Sequence, residues 1–187
     1  RWSRSPRCVL LQPDQPAFIS GKQSLSYAQL WRGSVAVARW LTIDHGIGPG
    51  DRVVMSAGSQ GAWFAAKYLG THLVGASAVP LDDRLAETTR RSILDAVAPA
   101  FNLAGDDQGE LTAILAASAV GPLESENPRV SHQSSDTADI MFTSGSTGKS
   151  KGVVISHRAN YLRTHPGSQL EPRGATVCMY PLFHMGA

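Results

Sequence analysis

Residues 138–156 read Ala-Asp-Ile-Met-Phe-Thr-Ser-Gly-Ser-Thr-Gly-Lys-Ser-Lys-Gly-Val-Val-Ile-Ser, and the rest of the chain is best interpreted outward from them. Ala138-Asp139-Ile140-Met141-Phe142 reads as a strand running into Thr143. Gly152 to Ser156 is β-type again, so the intervening run joins two strands. Its glycines, Gly145, Gly148 and Gly152, let successive backbone N–H groups curl round an anion. Ser144, Ser146 and Thr147 add hydroxyl donors, and Lys149 and Lys151 add positive charge. Those are the requirements of a polyphosphate, and a nucleoside triphosphate is the natural ligand. Composition alone leaves a Ser/Gly-rich surface turn as the alternative. Gly148-Lys149-Ser150 also resembles the end of a Walker loop, but that motif places a glycine at position 143, which is Thr, and then opens a helix rather than a strand.

Upstream, strand and helix signals alternate. Ala17-Phe18-Ile19 and Ser24-Leu25 flank Gly21-Lys22 as a tight hairpin. Ser26 and Gln29 have capping-box spacing, and Leu30, Ser34, Val37, Ala38 and Leu41 recur at helical intervals until Gly46 and Gly48. Arg52 to Met55 predicts a strand, Gly61 to Val74 an apolar helix, and Ala76 to Leu81 a buried strand. Ala86 to Ala98 predicts a helix ended by Pro99, and Ala100 to Ala104 a further short strand. This alternation predicts an α/β fold with a parallel-rich sheet flanked by helices. From about 121 to 137 the sequence turns polar and Pro-containing, which predicts a surface connection.

The 187 residues are 42% hydrophobic and 17% charged with a net charge of +2, a balance that supports a core and excludes the signature of a disordered chain. No basic stripe is present, so a nucleic-acid partner is not expected and an anion must be held locally. The two cysteines, Cys8 and Cys178, lie too far apart for a metal or redox motif, which sets a reducing, cytoplasmic location as the default. The longest apolar candidates, such as Tyr68 to Leu81, contain Gly, His and Pro, so no transmembrane segment is expected. The chain starts at Arg1 rather than Met, which reads as a piece lacking its true start.

The Thr143-Ser144-Gly145-Ser146-Thr147-Gly148-x-x-Lys151-Gly152 run, continued by Val153 and by Ser156-His157-Arg158-x-Asn160, resembles the signature of the adenylate-forming enzymes. That family includes acyl-CoA synthetases, peptide-synthetase adenylation domains and firefly luciferase. The likeness extends to Leu25-Ser26-Tyr27-Ala28-Gln29-Leu30, Gly46-Ile47-Gly48-Pro49-Gly50-Asp51-Arg52-Val53, Gly75 to Asp82, and Pro181-Leu182-Phe183-His184-Met185-Gly186. It covers Pro16 to the last residue. Ser150 stands where the family often has Pro, Phe142 where Tyr is frequent and Gln29 where Glu is usual, and none of these removes a donor to phosphate. By this resemblance, residues 1–187 are the N-terminal part of the large domain, incomplete. By the same resemblance, the family's adenine- and ribose-binding segments, hinge and C-terminal domain would correspond to sequence after Ala187.

The resemblance implies that a carboxylate attacks the α-phosphate of ATP, releasing pyrophosphate, and that a thiol then displaces AMP. Thr143, Ser144, Gly145, Ser146, Thr147, Gly148, Lys149 and Lys151 would bind the β- and γ-phosphates, with Thr147 a principal hydroxyl contact. The mobility of the family loop could draw on Gly145, Gly148 and Gly152, which equally could merely close a tight turn. His184 would line the acyl pocket. Mg²⁺ would enter with ATP, and CoA would be the co-substrate. The acid is expected to be a fatty or other hydrophobic acid; the alternatives are an amino-acid-activating adenylation domain or a truncated chain without activity. The 187 residues alone are expected to be inactive, and the incomplete sheet predicts poor solubility or association. His45, His72, His132 and His165 show no ligand spacing, so no protein-only metal site is expected. His157 reads as structural beside an N-cap at Ser156. Asp82-Asp83-Arg84 reads as a solvated turn, and Trp2, Trp31, Trp40 and Trp63 as packing residues.

Overall fold

The computed structural model describes Val9 and residues 11–57, 61–103, 108–120, 133–143 and 150–164. Strands β1 (Pro16–Ser20) and β2 (Gln23–Ser26) form the expected hairpin. Helix α1 (Tyr27–Ile43) starts directly after it through a complete capping box. The Ser26 hydroxyl accepts from the Gln29 N–H at 3.2 Å, and the Ser26 N–H donates to Gln29 Oε1 at 2.9 Å.

Then follow β3 (Arg52–Ser56), α2 (Trp63–Leu73), β4 (Ser77–Leu81), α3 (Glu87–Val97), β5 (Phe101–Asn102) and α4 (Gln108–Ser118). Next come β6 (Thr137–Thr143), β7 (Lys151–Ser156) and α5 (His157–Thr164). The main sheet has five strands in the order β5-β3-β4-β6-β7. β5, β3, β4 and β6 run parallel, and β7 is antiparallel to β6. This is the parallel-rich α/β sheet that the alternation predicts. No described helix is long and apolar enough to cross a membrane.

Side-chain alternation in the strands builds two layers. Val53, Met55 and Ala78 point to the face covered by α1, α2 and α4, where they meet Val37, Leu41, Phe64, Leu111 and Leu115. Val54, Val79 and Leu81 point to the other face, where Ile93 and Val97 of α3 cover them. Fully burying side chains such as Leu41, Val53 and Met55 is worth about 1.5–3 kcal/mol each. Trp31 and Trp40 are buried and Trp63 packs against the core, as their packing role predicts; Trp2 lies outside the described residues.

Helix α4 is not anticipated above. Its signal is short, with Leu111, Ile114 and Leu115 at helical spacing among alanines, and Leu111 and Leu115 supply its buried contact. Helix α3 ends at Ala98, in the left-handed region with φ +45°, one residue before Pro99. Arg52 closes that end: its Nε donates to Val97 O at 2.6 Å and its Nη2 to Ala98 O at 2.9 Å, where a cation meets the last carbonyls of a helix.

Pairing within the sheet is uneven around β4. The Ser77 N–H donates to Asp51 O and the Ala57 N–H to Leu81 O, so Ser77, Val79 and Leu81 bond toward β3. Ala78 and Pro80 therefore face β6, and Pro80 has no N–H to give. The paired residues on that side are Ala78 and Asp139.

Helices α1 and α2 approach closely at Gly70, where a Cβ would lie 2.7 Å from Val37 Cβ and 2.8 Å from the Ser34 carbonyl oxygen. Gly70→Ala is expected to cost about 1–3 kcal/mol, read as a lower urea midpoint at unchanged slope. Gly48→Ala, where a Cβ meets nothing within 4 Å, is expected to be near neutral in the same measurement.

Candidate phosphate-binding site

The glycine-rich run joins β6 to β7, two antiparallel strands, as its flanks predict and unlike a Walker loop. The ladder runs from Thr137↔Ser156 to Phe142↔Gly152 and Thr143↔Lys151. Thr143 and Lys151 thus face each other across the mouth of the loop, with Thr143 Oγ1 3.4 Å from the Lys151 carbonyl oxygen and both residues exposed. Ser144, Gly145, Ser146, Thr147, Gly148 and Lys149 lie outside the described residues, as does His184. Gly152 has a packing reason of its own: a Cβ there would come within 3.2 Å of both Ile140 Cγ2 and Phe142 Cζ.

Because β6 is parallel to β4, the loop leaves the sheet at the carboxyl edge, alongside the ends of β3 at Ser56 and β4 at Leu81. Open α/β sheets bind ligands at this edge. The turn beyond β4 also lies here. Arg84 forks onto Asp82 through Nε and Nη2, each at 3.0 Å, and the Ser56 hydroxyl donates to Asp83. Asp83 and Arg84 are exposed, which agrees with a solvated turn.

Toward the amino edge, the two legs of the hairpin meet a buried polar cluster. Asp139 has no exposed surface. Its Oδ1 lies 3.1 Å from His72 Nε2 on α2, and its Oδ2 accepts from Asn160 Nδ2 on α5 at 2.5 Å. His72 Nε2 also lies 3.1 Å from the Ala138 carbonyl oxygen. Both neighbours are acceptors, so Nε2 carries the proton. The Tyr68 hydroxyl donates to the same carboxylate, and the Tyr68 and His157 rings stand 4.4 and 5.5 Å from the His72 ring. Burial works against the Asp139 charge. The hydrogen bonds from His72, Asn160 and Tyr68, with the charge of His72, outweigh it and hold the carboxyl below its ordinary value of 3.8. Burial first, then the Asp139 charge, pushes the Tyr68 phenol far up.

His157 follows Ser156, which is the expected N-cap: its hydroxyl accepts from the Ala159 N–H at 3.2 Å. The His157 and Arg158 N–H groups donate to the carbonyls of Asp136 and Ser134, which completes the helix start. The Asp139 cluster is invisible to a search for ligand spacing, because His72 and Asp139 are 67 positions apart. Its one sequence signal is an acidic residue inside an otherwise apolar strand.

The fold and the hairpin define a class, the α/β proteins that carry a glycine- and hydroxyl-rich loop at the carboxyl edge of a largely parallel sheet. Within that class the chain belongs to the AMP-binding enzyme family, whose model matches residues 7–187. It is 30% identical over 210 residues to the 3-[(3aS,4S,7aS)-7a-methyl-1,5-dioxo-octahydro-1H-inden-4-yl]propanoyl:CoA ligase of Mycobacterium tuberculosis, covering 95% of this chain and 41% of that protein. It is 34% identical over 159 residues to nonribosomal peptide synthetase 30 of Fusarium vanettenii, covering 81% of this chain and 3% of that protein. Among solved structures, o-succinylbenzoate CoA synthetase from Bacillus subtilis, bound to its acyl-adenylate intermediate, superposes with a TM-score of 0.71. The identity is 25%, with 94% of this chain and 48% of that one covered. The chain therefore spans less than half the length of each of these relatives.

Because the Asp139 carboxyl sits below its ordinary value in the folded chain, it contributes stability that is fully present above about pH 4. That contribution is lost as the pH falls through the depressed value. Asp139→Asn is expected to flatten the acid limb of a urea-midpoint-versus-pH profile below pH 4; an unchanged limb overturns this assignment.

Proposed function

We propose that the protein to which this chain belongs activates a carboxylic acid with ATP, forming an acyl-adenylate and pyrophosphate, and then passes the acyl group to a thiol. The supporting observation is the hairpin: a glycine- and hydroxyl-rich run between antiparallel strands, opening at the carboxyl edge between Thr143 and Lys151, in a chain of the AMP-binding family. Neither step needs a protein nucleophile. The carboxylate oxygen forms the new bond to the α-phosphorus, the bond to the bridging oxygen breaks, and pyrophosphate leaves with the charge. What the loop must do is bind and neutralise that leaving group. Backbone N–H groups at Gly145 and Gly148, hydroxyls at Thr143, Ser144, Ser146 and Thr147, and the ammonium groups of Lys149 and Lys151 are suited to it. Mg²⁺ enters as the MgATP substrate.

Our reading of the acid is a fatty or other hydrophobic one, with CoA as acceptor and His184 in the acyl pocket. The CoA ligase and CoA synthetase relatives support it, as does the fatty acyl-adenylate ligase of L. pneumophila, which is 27% identical with a TM-score of 0.67. A second reading, activation of an amino acid, is favoured by relatives among peptide synthetases such as those of Fusarium vanettenii and Aspergillus fumigatus.

Acid-dependent ATP–pyrophosphate exchange by the full-length gene product, with fatty, aryl and amino acids as separate panels, tests the proposal. Exchange with one class is expected. Silence with all three overturns adenylation. Thr147→Ala is expected to lower kcat/KM for ATP by roughly ten- to hundredfold, the factor implied by losing a hydrogen bond to a charged group. Unchanged kinetics remove Thr147 from the site.

A further inference from the structure

The phosphate loop is carried by a hairpin whose neighbour in the sheet, β4, contains a proline. On the β4 side, the paired residues are Ala78 and Asp139, and Pro80, the next residue of β4 to face β6, supplies no N–H. From Asp139 to Thr143 the strand runs about 13 Å, at 3.3 Å per residue, with the Pro80 position on its flank. The far leg, β7, bonds to β6 and leads straight into α5. Whatever fixes the direction of this hairpin must therefore act near its base and grip both legs.

Asp139 does both. It lies on the first leg at the Ala78 pair and is fully buried. Through Oδ1 it meets His72 of α2, a helix packed in the body of the domain, and through Oδ2 it accepts from Asn160 of α5, the helix that continues the second leg. A carboxylate with donors on both oxygens holds its partners more tightly than neutral pairs would, and in a dry site that grip is directional. Charge is costly at a buried strand position, where Val or Ile would add packing without that cost. Packing of the strand alone does not call for a carboxylate here; joining α2 to α5 does.

Resting on the reading of the loop as a pyrophosphate cradle, we propose that Asp139 is a positioning residue for phosphate binding: by joining α2 through His72 to α5 through Asn160, it fixes both legs of the hairpin that presents the loop. It touches no substrate. Its effect is specific to whatever the loop holds, so it should bear on the β- and γ-phosphates and not on the nucleoside monophosphate part of the ligand.

The test is calorimetric titration of the full-length protein with magnesium pyrophosphate and, separately, with AMP. Wild type is compared with Asp139→Asn and with Asn160→Ala, which removes the α5 donor to Asp139 and keeps the test valid if the first variant fails to fold. The expected result is a dissociation constant for magnesium pyrophosphate raised roughly ten- to hundredfold, as loss of a charge-assisted hydrogen bond implies, with the constant for AMP unchanged. Equal weakening of both ligands, or of neither, overturns the proposal, as does a wild type that binds AMP but not pyrophosphate. A wild type that supports no acid-dependent exchange, yet shows the pyrophosphate-selective loss in its variants, overturns the proposed reaction and leaves the positioning role standing.

Discussion

Strand β4 is the constraint on which the rest of the domain depends. All five of its residues are buried, with strands on both edges and helices over both faces, so each position must satisfy its backbone and pack its side chain at once. It meets this unequally. Toward β3 its register is continuous from Ser77 to Leu81, and that pair carries the two layers of core. Toward β6, Pro80 withholds a donor, and the neighbouring hairpin is secured by side chains as well as by backbone. The same strand carries the two core layers on one edge and, on the other, a hairpin held by side-chain as well as backbone bonds.

The polar cluster at the base of that hairpin shows how an unfavourable group becomes tolerable. Burial alone would drive the Asp139 carboxyl toward its neutral form. Three donors from α2 and α5 reverse the balance. Those donors come from Tyr68, His72 and Asn160, on elements before and after the loop in sequence. The network can close only when the whole α2–β6–β7–α5 arrangement is in place, which links local electrostatics to tertiary order.

Much of the fold was legible in the sequence, for physical reasons that differ by element. The α1 start was readable because Ser26 and Gln29 satisfy each other's backbone within one turn, independent of the remaining fold. β4 was readable because burial on two faces leaves a short run in which Ser77 is the one polar residue, and α3 because Pro99 forbids continuation. Helix α4 was missed because two leucines and an isoleucine among alanines give a weak pattern that only packing against α1 makes decisive. The loop chemistry was readable from donor-rich composition between two β-type runs. The Asp139 cluster was not, since nothing in a strand's own period announces which distant helix will meet its odd acidic position. Arg52 was likewise read as a strand residue, and its role as a clamp on α3 emerges only when β3 and α3 are adjacent.

The junction between β4 and β6 also bears on how the chain assembles. Pairs such as Val54↔Val79 and Val54↔Asn102 close over a few tens of residues, and the β6–β7 hairpin closes over its own short loop. The Ser77 hydroxyl meets the Thr137 carbonyl across 60 positions, and His72 meets Asp139 across 67. Closing a loop costs entropy that grows with its length, and contacts so distant in sequence are rewarded only after that cost has been met. These long-range contacts carry a larger closure cost than the locally closed pieces they join, and the Asp139 cluster spans one of the widest of these separations.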